Sequence, residues 1–224
     1  MIYVTGDMHG IRTRWNAPAL RKLKKGDTLL ICGDFGFLWE GGKDEESFLK
    51  KLGKKKYTVA FVDGSHENFD LLGQYPVEEF GKAKARRISG RLWHLLRGQV
   101  YHIGDETVFA MGGGENLDFD TNDEHWTGGE IPSEEELRAG ANNLRAVGNR
   151  VDYVVTHEPP AKMKEFLGLR EKGQTNITGL NTYLEELSTV VQYKRWFFGS
   201  LHLDKQVSPA NIAVFQNVVA VSRG

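Results

Sequence analysis

Residues 2–10 read IYVTGDMHG, a short β-branched and aromatic run that ends in a glycine, an aspartate and a histidine. The layout returns four more times: LLIC (29–32) leads into Gly33-Asp34, AFVD (60–63) into Gly64-Ser65-His66-Glu67, DYVV (152–155) into Thr156-His157, and WFF (196–198) into Gly199-Ser200-Leu201-His202. Apolar runs of this kind predict strands. Where helices flank a sheet, ligands bind beyond the carboxyl ends of its strands, so these aspartates and histidines are expected to share one pocket. Glycine precedes four of the five polar groups, which permits sharp turns and leaves room for side chains to point at a common centre.

Working outward, strands are predicted at Ile2–Thr5, Thr28–Cys32, Tyr57–Val62, Val100–Ile103, Val108–Met111, Val151–Thr156, Trp196–Phe198, Ile212–Phe215 and Val218–Val221. Helical spacing recurs at Trp15–Leu23, Glu45–Leu52, Asn68–Gln74, Ser133–Val147 and Thr178–Leu187. Ser133 and Glu136 form a capping box, Asn68 stands at a helix start, and Lys50–Lys56 suits a helix C-terminus. The order suggests an α/β protein with one mixed sheet or two, finished by an antiparallel hairpin around Gln216 and Asn217. No repeat or Pro/Ser-rich linker divides the chain, so residues 1–224 are expected to form a single domain.

Composition narrows the function classes. With 29 Lys plus Arg against 30 Asp plus Glu, the formal charge of −1 creates no bulk attraction for nucleic acid or an anionic membrane. Such a balance still admits a small phosphorylated ligand or a phosphodiester. The lone cysteine, Cys32, excludes an intramolecular disulfide and a Cys-rich zinc site, and inside a strand it is expected to be buried. No run reaches the roughly 18 apolar residues of a membrane span, and no basic leader is present, so a cytoplasmic protein is expected. Charge is uneven: residues 82–97 carry six basic residues and no acid, and residues 115–136 carry nine acids and no base. Both stretches read as solvated surfaces, with Arg91 and Arg97 in solvent. His94 and His102 read as structural, and His125 beside Trp126 could cover the pocket.

Carboxylates and imidazoles gathered at one point are costly unless something binds them, and a divalent cation resolves the conflict. Asp and His ligands without a thiolate suit Mn, Fe, Zn, Co or Ni better than Ca or a structural zinc. Asp7 and His9 can face one metal if the chain bends between them, although either could instead cap a turn.

The ordered series GDMHG, GDFG, GSHE, TH and GSLH, spread over nearly the whole chain, resembles the calcineurin-like metallophosphoesterase superfamily. Its signature is D-x-H, G-D, G-N-H-[DE], a lone H, then G-H-x-H. The resemblance implies a two-sheet β-sandwich flanked by helices, holding two metals about 3.5 Å apart that grip a phosphate. It implies that Asp7, His9 and His202 hold the first metal, that Asp34 bridges both, and that His157 serves the second. His66 would stand beside the leaving-group oxygen, and the nucleophile would be a metal-bound hydroxide attacking in line.

The chain departs from that signature twice. Ser65 stands where the family has Asn, and Ser200 where it has the first His of G-H-x-H. Both positions belong to the second metal, and a neutral hydroxyl is a poor ligand compared with imidazole. The expected enzyme is therefore a metal-dependent phosphoesterase with one tightly bound cation, manganese by preference, and a second that is weak or absent. The rival expectation is a slow or non-catalytic phosphate- or nucleotide-binding protein that keeps the fold and one metal.

Overall fold

The computed structural model describes residues 1–115, 129–171 and 176–221. The apolar runs form strands β1 (Ile2–Thr5), β2 (Thr28–Cys32) and β3 (Thr58–Val62). They are followed by β4 (Val77–Phe80), β5 (Ala83–Ser89), β6 (Leu92–Leu95), β7 (Gln99–Ile103) and β8 (Glu106–Met111). The later strands are β9 (Tyr153–Thr156), β10 (Arg195–Phe198), β11 (Lys205–Gln206), β12 (Asn211–Ala213) and β13 (Val219–Val221). Helices α1 (Pro18–Lys22), α2 (Lys43–Gly53), α3 (Phe69–Gly73), α4 (Glu134–Ala146), α5 (Ala161–Glu171) and α6 (Gly179–Val190) lie between them. Among the described residues no helix is long and apolar enough to cross a membrane.

Seven strands form one sheet in the order β13-β1-β2-β3-β6-β5-β4, and six form a second in the order β11-β12-β10-β9-β8-β7. Each sheet has a parallel centre and antiparallel edges. This is the two-sheet α/β sandwich that the motifs imply. β2 reads TLLIC without polar alternation because both of its faces are covered. Leu30 and Cys32 pack between the sheets with Val4, Val62, Val155 and Phe197, while Leu29 and Ile31 face Leu20 of α1 and Leu49 and Leu52 of α2. On the outside of the second sheet, Phe109, Val154 and Trp196 meet Leu144 of α4 and Leu184 of α6. The parallel centres bring the carboxyl ends of β1, β2 and β3 to one side of their sheet, and those of β8, β9 and β10 to one side of theirs.

Several local expectations need correction. The helix expected over Trp15–Leu23 is a 3-10 turn at Arg12–Asn16 followed by α1, because Ala17 precedes Pro18 and is held extended (ψ 133°). No hairpin forms at Gln216 and Asn217: β12 pairs with β10 and β11, whereas β13 pairs with β1 in the other sheet. The chain crosses between sheets there, with the Asp204 carboxylate accepting from the amides of Phe215, Gln216 and Asn217. The basic stretch is not simply a solvated surface. It contains β5 and β6, which turn Ala85, Ile88, Leu92 and Leu95 inward and leave the side chains of Lys84 and Arg91 exposed. Both N-caps form as expected: Ser133 with Glu136, and Asn68 accepting from the Leu71 amide.

Arg97 is not solvated either. Its side chain is 7% exposed, and it donates through Nε (2.8 Å) and Nη2 (2.6 Å) to Asp63 at the end of β3. It also reaches Gly129 O at 2.7 Å and Glu136 Oε2 at 3.2 Å. His94 Nε2 lies 2.9 Å from the other Asp63 oxygen. Burial alone would raise the Asp63 pKa, but Arg97 and His94 hold it far below the usual carboxylate range. The stabilisation is therefore complete above the ordinary carboxyl pKa and is lost as pH falls towards the depressed one. Asp63→Asn should cost about 3–5 kcal/mol in urea unfolding at neutral pH, because it strands a buried guanidinium. Pairing Asp63→Leu with Arg97→Met should recover much of that loss.

Candidate metal centre

Four of the strand-end residues meet. Asp7, His9, Asp34 and His202 each offer a ligand atom, and these atoms all lie within 4.8 Å of one another. The backbone is strained to achieve this. Asp7, His9, Asp34, Ser200 and His202 have φ of 44°, 47°, 45°, 65° and 50°, a left-handed conformation that side-chain-bearing residues rarely adopt. Among the described residues only two other non-glycine residues, Lys82 and Asn149, share it. Glycine clears the space between the turns: a Cβ on Gly33 would lie 2.1 Å from His157 Nδ1, and one on Gly64 2.0 Å from Asp34 Oδ1.

Three braces that the sequence reading did not single out hold these turns. Arg14 donates to the carbonyls of Gly6 (2.8 Å), Asp7 and Phe215, so one guanidinium ties the β1 turn to the crossover near the chain's end. Phe215 stacks on His202 with ring centroids 4.9 Å apart. Glu67 accepts from the amides of Phe35 (2.6 Å) and Gly36 (3.2 Å) and so pins the turn after Asp34. Burial and the nearby Asp34 charge push the Glu67 pKa up to about 8.

The electrostatics fit a cation. Burial lifts the Asp7 carboxyl to about 7, with the Asp34 charge adding to the rise against the pull of His157. Asp7 Oδ2 is buried without a hydrogen-bond partner. His9 and His202 place their Nε2 atoms 2.9 Å apart, where at most one proton fits between them. Burial lowers both pKa values despite Asp34, which favours neutral rings with a free nitrogen lone pair. For Asp34, burial raises the pKa, but His157 and His66 outweigh it and keep the carboxylate ionised. An orphaned carboxylate oxygen and two facing imidazole nitrogens suit a divalent metal held by Asp7, His9, Asp34 and His202.

The other sequence-derived positions surround that group. His157 is buried, its Nδ1 3.5 Å from Asp7 Oδ1 and its Nε2 3.6 Å from Asp34 Oδ1. Burial opposes its charged form, yet Asp34 and Asp7 together push its pKa up to about 9. His66 is exposed, with its amide 2.9 Å and its Nδ1 3.3 Å from the Asp34 oxygens. The Ser65 hydroxyl lies 3.1 Å from His66 Nδ1. Ser200 donates its amide to Asp7 Oδ1 at 3.0 Å and its hydroxyl to Glu158 Oε1 at 2.6 Å. Glu158 was also missed by sequence reading, and its position directly after His157 was the available signal. His125 and Trp126 lie outside the described residues.

A family model described as calcineurin-like phosphoesterase matches residues 1–204. The chain belongs to the calcineurin-like phosphoesterase family. No curated protein matches the sequence. Membership and the four-residue donor group agree on a metal-dependent phosphoesterase scaffold. In a calcineurin-like phosphoesterase built this way, cation and proton compete for Asp7. Binding of Mn2+ at mildly acidic pH should therefore release protons, and apparent affinity should rise with pH up to about 7. Isothermal titration in two buffers of different ionisation enthalpy measures the release directly.

Proposed function

We propose that this protein hydrolyses small phosphomonoesters or phosphodiesters in the cytoplasm, with Asp7, His9, Asp34 and His202 holding a tightly bound divalent cation, Mn2+ by preference. The observation that carries the reading is the convergence of these four donors, from both ends of the chain, on one point. A cation at this point supplies Lewis acidity towards a phosphoryl oxygen and lowers the pKa of a coordinated water.

The chain's own residues do the rest. Asp34 presents its carboxylate to both sides of the site, towards His9 at 3.6 Å and towards His157 at 3.6 Å. His66 is exposed beside it, where an imidazole can stabilise or protonate a departing alkoxide. His157 and the hydroxyls of Ser65 and Ser200 border a second, weaker cation position. The two serines also favour a runner-up, a phosphate- or nucleotide-binding protein with one cation and little turnover.

Hydrolysis of p-nitrophenyl phosphate and its bis ester with Mn2+ decides between them. Under the proposal Asp34→Ala abolishes turnover of these esters, and His66→Ala lowers kcat about 100- to 10,000-fold on an alkyl phosphate, whose alkoxide leaving group needs a proton, as expected for loss of a general acid. No metal-dependent hydrolysis by the unmodified protein would leave the binding reading standing. The second position is tested by Ser65→Asn combined with Ser200→His. Bound metal per chain should rise from about one to about two, the count expected of a two-metal phosphoesterase site, and turnover should increase. Unchanged stoichiometry by elemental analysis removes the account of a weakened position.

A further inference from the structure

Glu158 is 4% exposed and is neither one of the four converging donors nor part of the apolar core. Its Oε2 accepts from Lys164 Nζ at 2.8 Å and from Asn181 Nδ2 at 2.8 Å. Asn181 in turn accepts from Lys164 at 3.1 Å and completes the capping box of α6 with Thr178. Two helices, α5 and α6, therefore fix the orientation of this carboxylate. Its Oε1 is left for Ser200, whose hydroxyl lies 2.6 Å away.

A carboxylate paired with an ammonium is an acceptor only, so the single hydroxyl proton of Ser200 is committed to Glu158. The lone pairs of Ser200 Oγ then face away from Glu158. A short charge-assisted bond of this kind polarises the hydroxyl and enriches its oxygen. The neighbourhood belongs to the site: a Cβ built on Gly114 would lie 3.1 Å from His157 Cδ2, 3.4 Å from Ser65 Cβ and 3.6 Å from Glu158 Oε1. Ser200 itself hangs from Asp7 by its amide.

We propose that Glu158 converts Ser200 into an oxygen ligand for a second divalent cation, and that this position selects an oxygen-seeking ion, Mn2+ or Mg2+, over Zn2+. The proposal rests on the reading above that a first cation occupies Asp7, His9, Asp34 and His202. An unassisted hydroxyl binds such ions poorly, whereas one that donates its hydrogen bond to a carboxylate keeps its proton but carries more electron density on its oxygen. Exchanging imidazole nitrogen for oxygen moves preference towards harder ions. Glu158 is thus a positioning residue that acts through Ser200. Lys164 and Asn181 keep it from turning away.

The test is a Mn2+ titration of the full chain followed by the electron paramagnetic resonance of free Mn2+, with Zn2+ and Mg2+ titrated calorimetrically in parallel. The expected result is one tight and one weaker class. Ser200→Ala and Glu158→Gln should each weaken only the second class, by about 10- to 100-fold, the range seen when a ligand's supporting partner is removed. Ser200→His should turn the second class towards Zn2+ and make it indifferent to Glu158→Gln. Because Glu158→Gln leaves a buried ammonium without its counter-charge, Ser200→Ala provides the variant that removes a hydroxyl alone. A second class unaffected by Ser200→Ala, or a single class in the unmodified protein, overturns this proposal and leaves the first-cation reading intact. Failure to bind any Mn2+ overturns both.

Discussion

Two buried carboxylates, Asp7 and Asp34, face the imidazoles of His9, His157 and His202 across distances of 3.5 to 3.6 Å or within the same small group. Such an arrangement is unfavourable without a positive charge at its centre, since like charges repel and desolvated oxygens lack partners. Much of the surrounding architecture compensates for that cost. Parallel strands bring separate turns together, left-handed backbone aims the side chains inward, and Arg14, Glu67 and Asp204 grip the turns through their amides and carbonyls. A strained constellation of this kind persists only when its supports outnumber its degrees of freedom.

The site was more legible in sequence than its supports were. Ligand-type residues directly after unbroken β-branched and aromatic runs, with glycine at the turn, are a visible pattern, so Asp7, His9, Asp34, His157 and His202 are expected in one pocket from the sequence. Arg14 and Asp204 act by bonding backbone groups, and no sequence spacing marks such contacts. Glu158 was hidden for another reason. Its partners Lys164 and Asn181 lie on two different helices, and the first of these, α5, is not among the helices that the sequence spacing predicts.

Fold class was legible for similar reasons, and its errors are instructive. β5 was masked by its cations, because Lys84, Arg86 and Arg87 dilute the apolar signal of Ala85 and Ile88, and β6 is only the four residues Leu92–Leu95 with His94 inside it. Ile212–Phe215 and Val218–Val221 looked like two arms of a hairpin because proximity in sequence usually means pairing in space. Here Val214 bonds Phe198 in one sheet, Gly6 bonds Phe215 at the crossover, and Val219 pairs with Val4 in the other sheet. Tertiary hydrogen bonds to Asp204 and Arg14 outweighed the local preference.

That crossover has a consequence for how the molecule is made. β13 lies beside β1, and His202 reaches the turn that carries Asp7, so segments 193 residues apart complete each other. During synthesis the early aspartate emerges long before its distant histidine partner, and the first strand waits with one edge bare. Contacts so far apart along the chain slow the final assembly. An ion captured by the finished constellation would bind the folded state alone and so stabilise the joining of these distant segments.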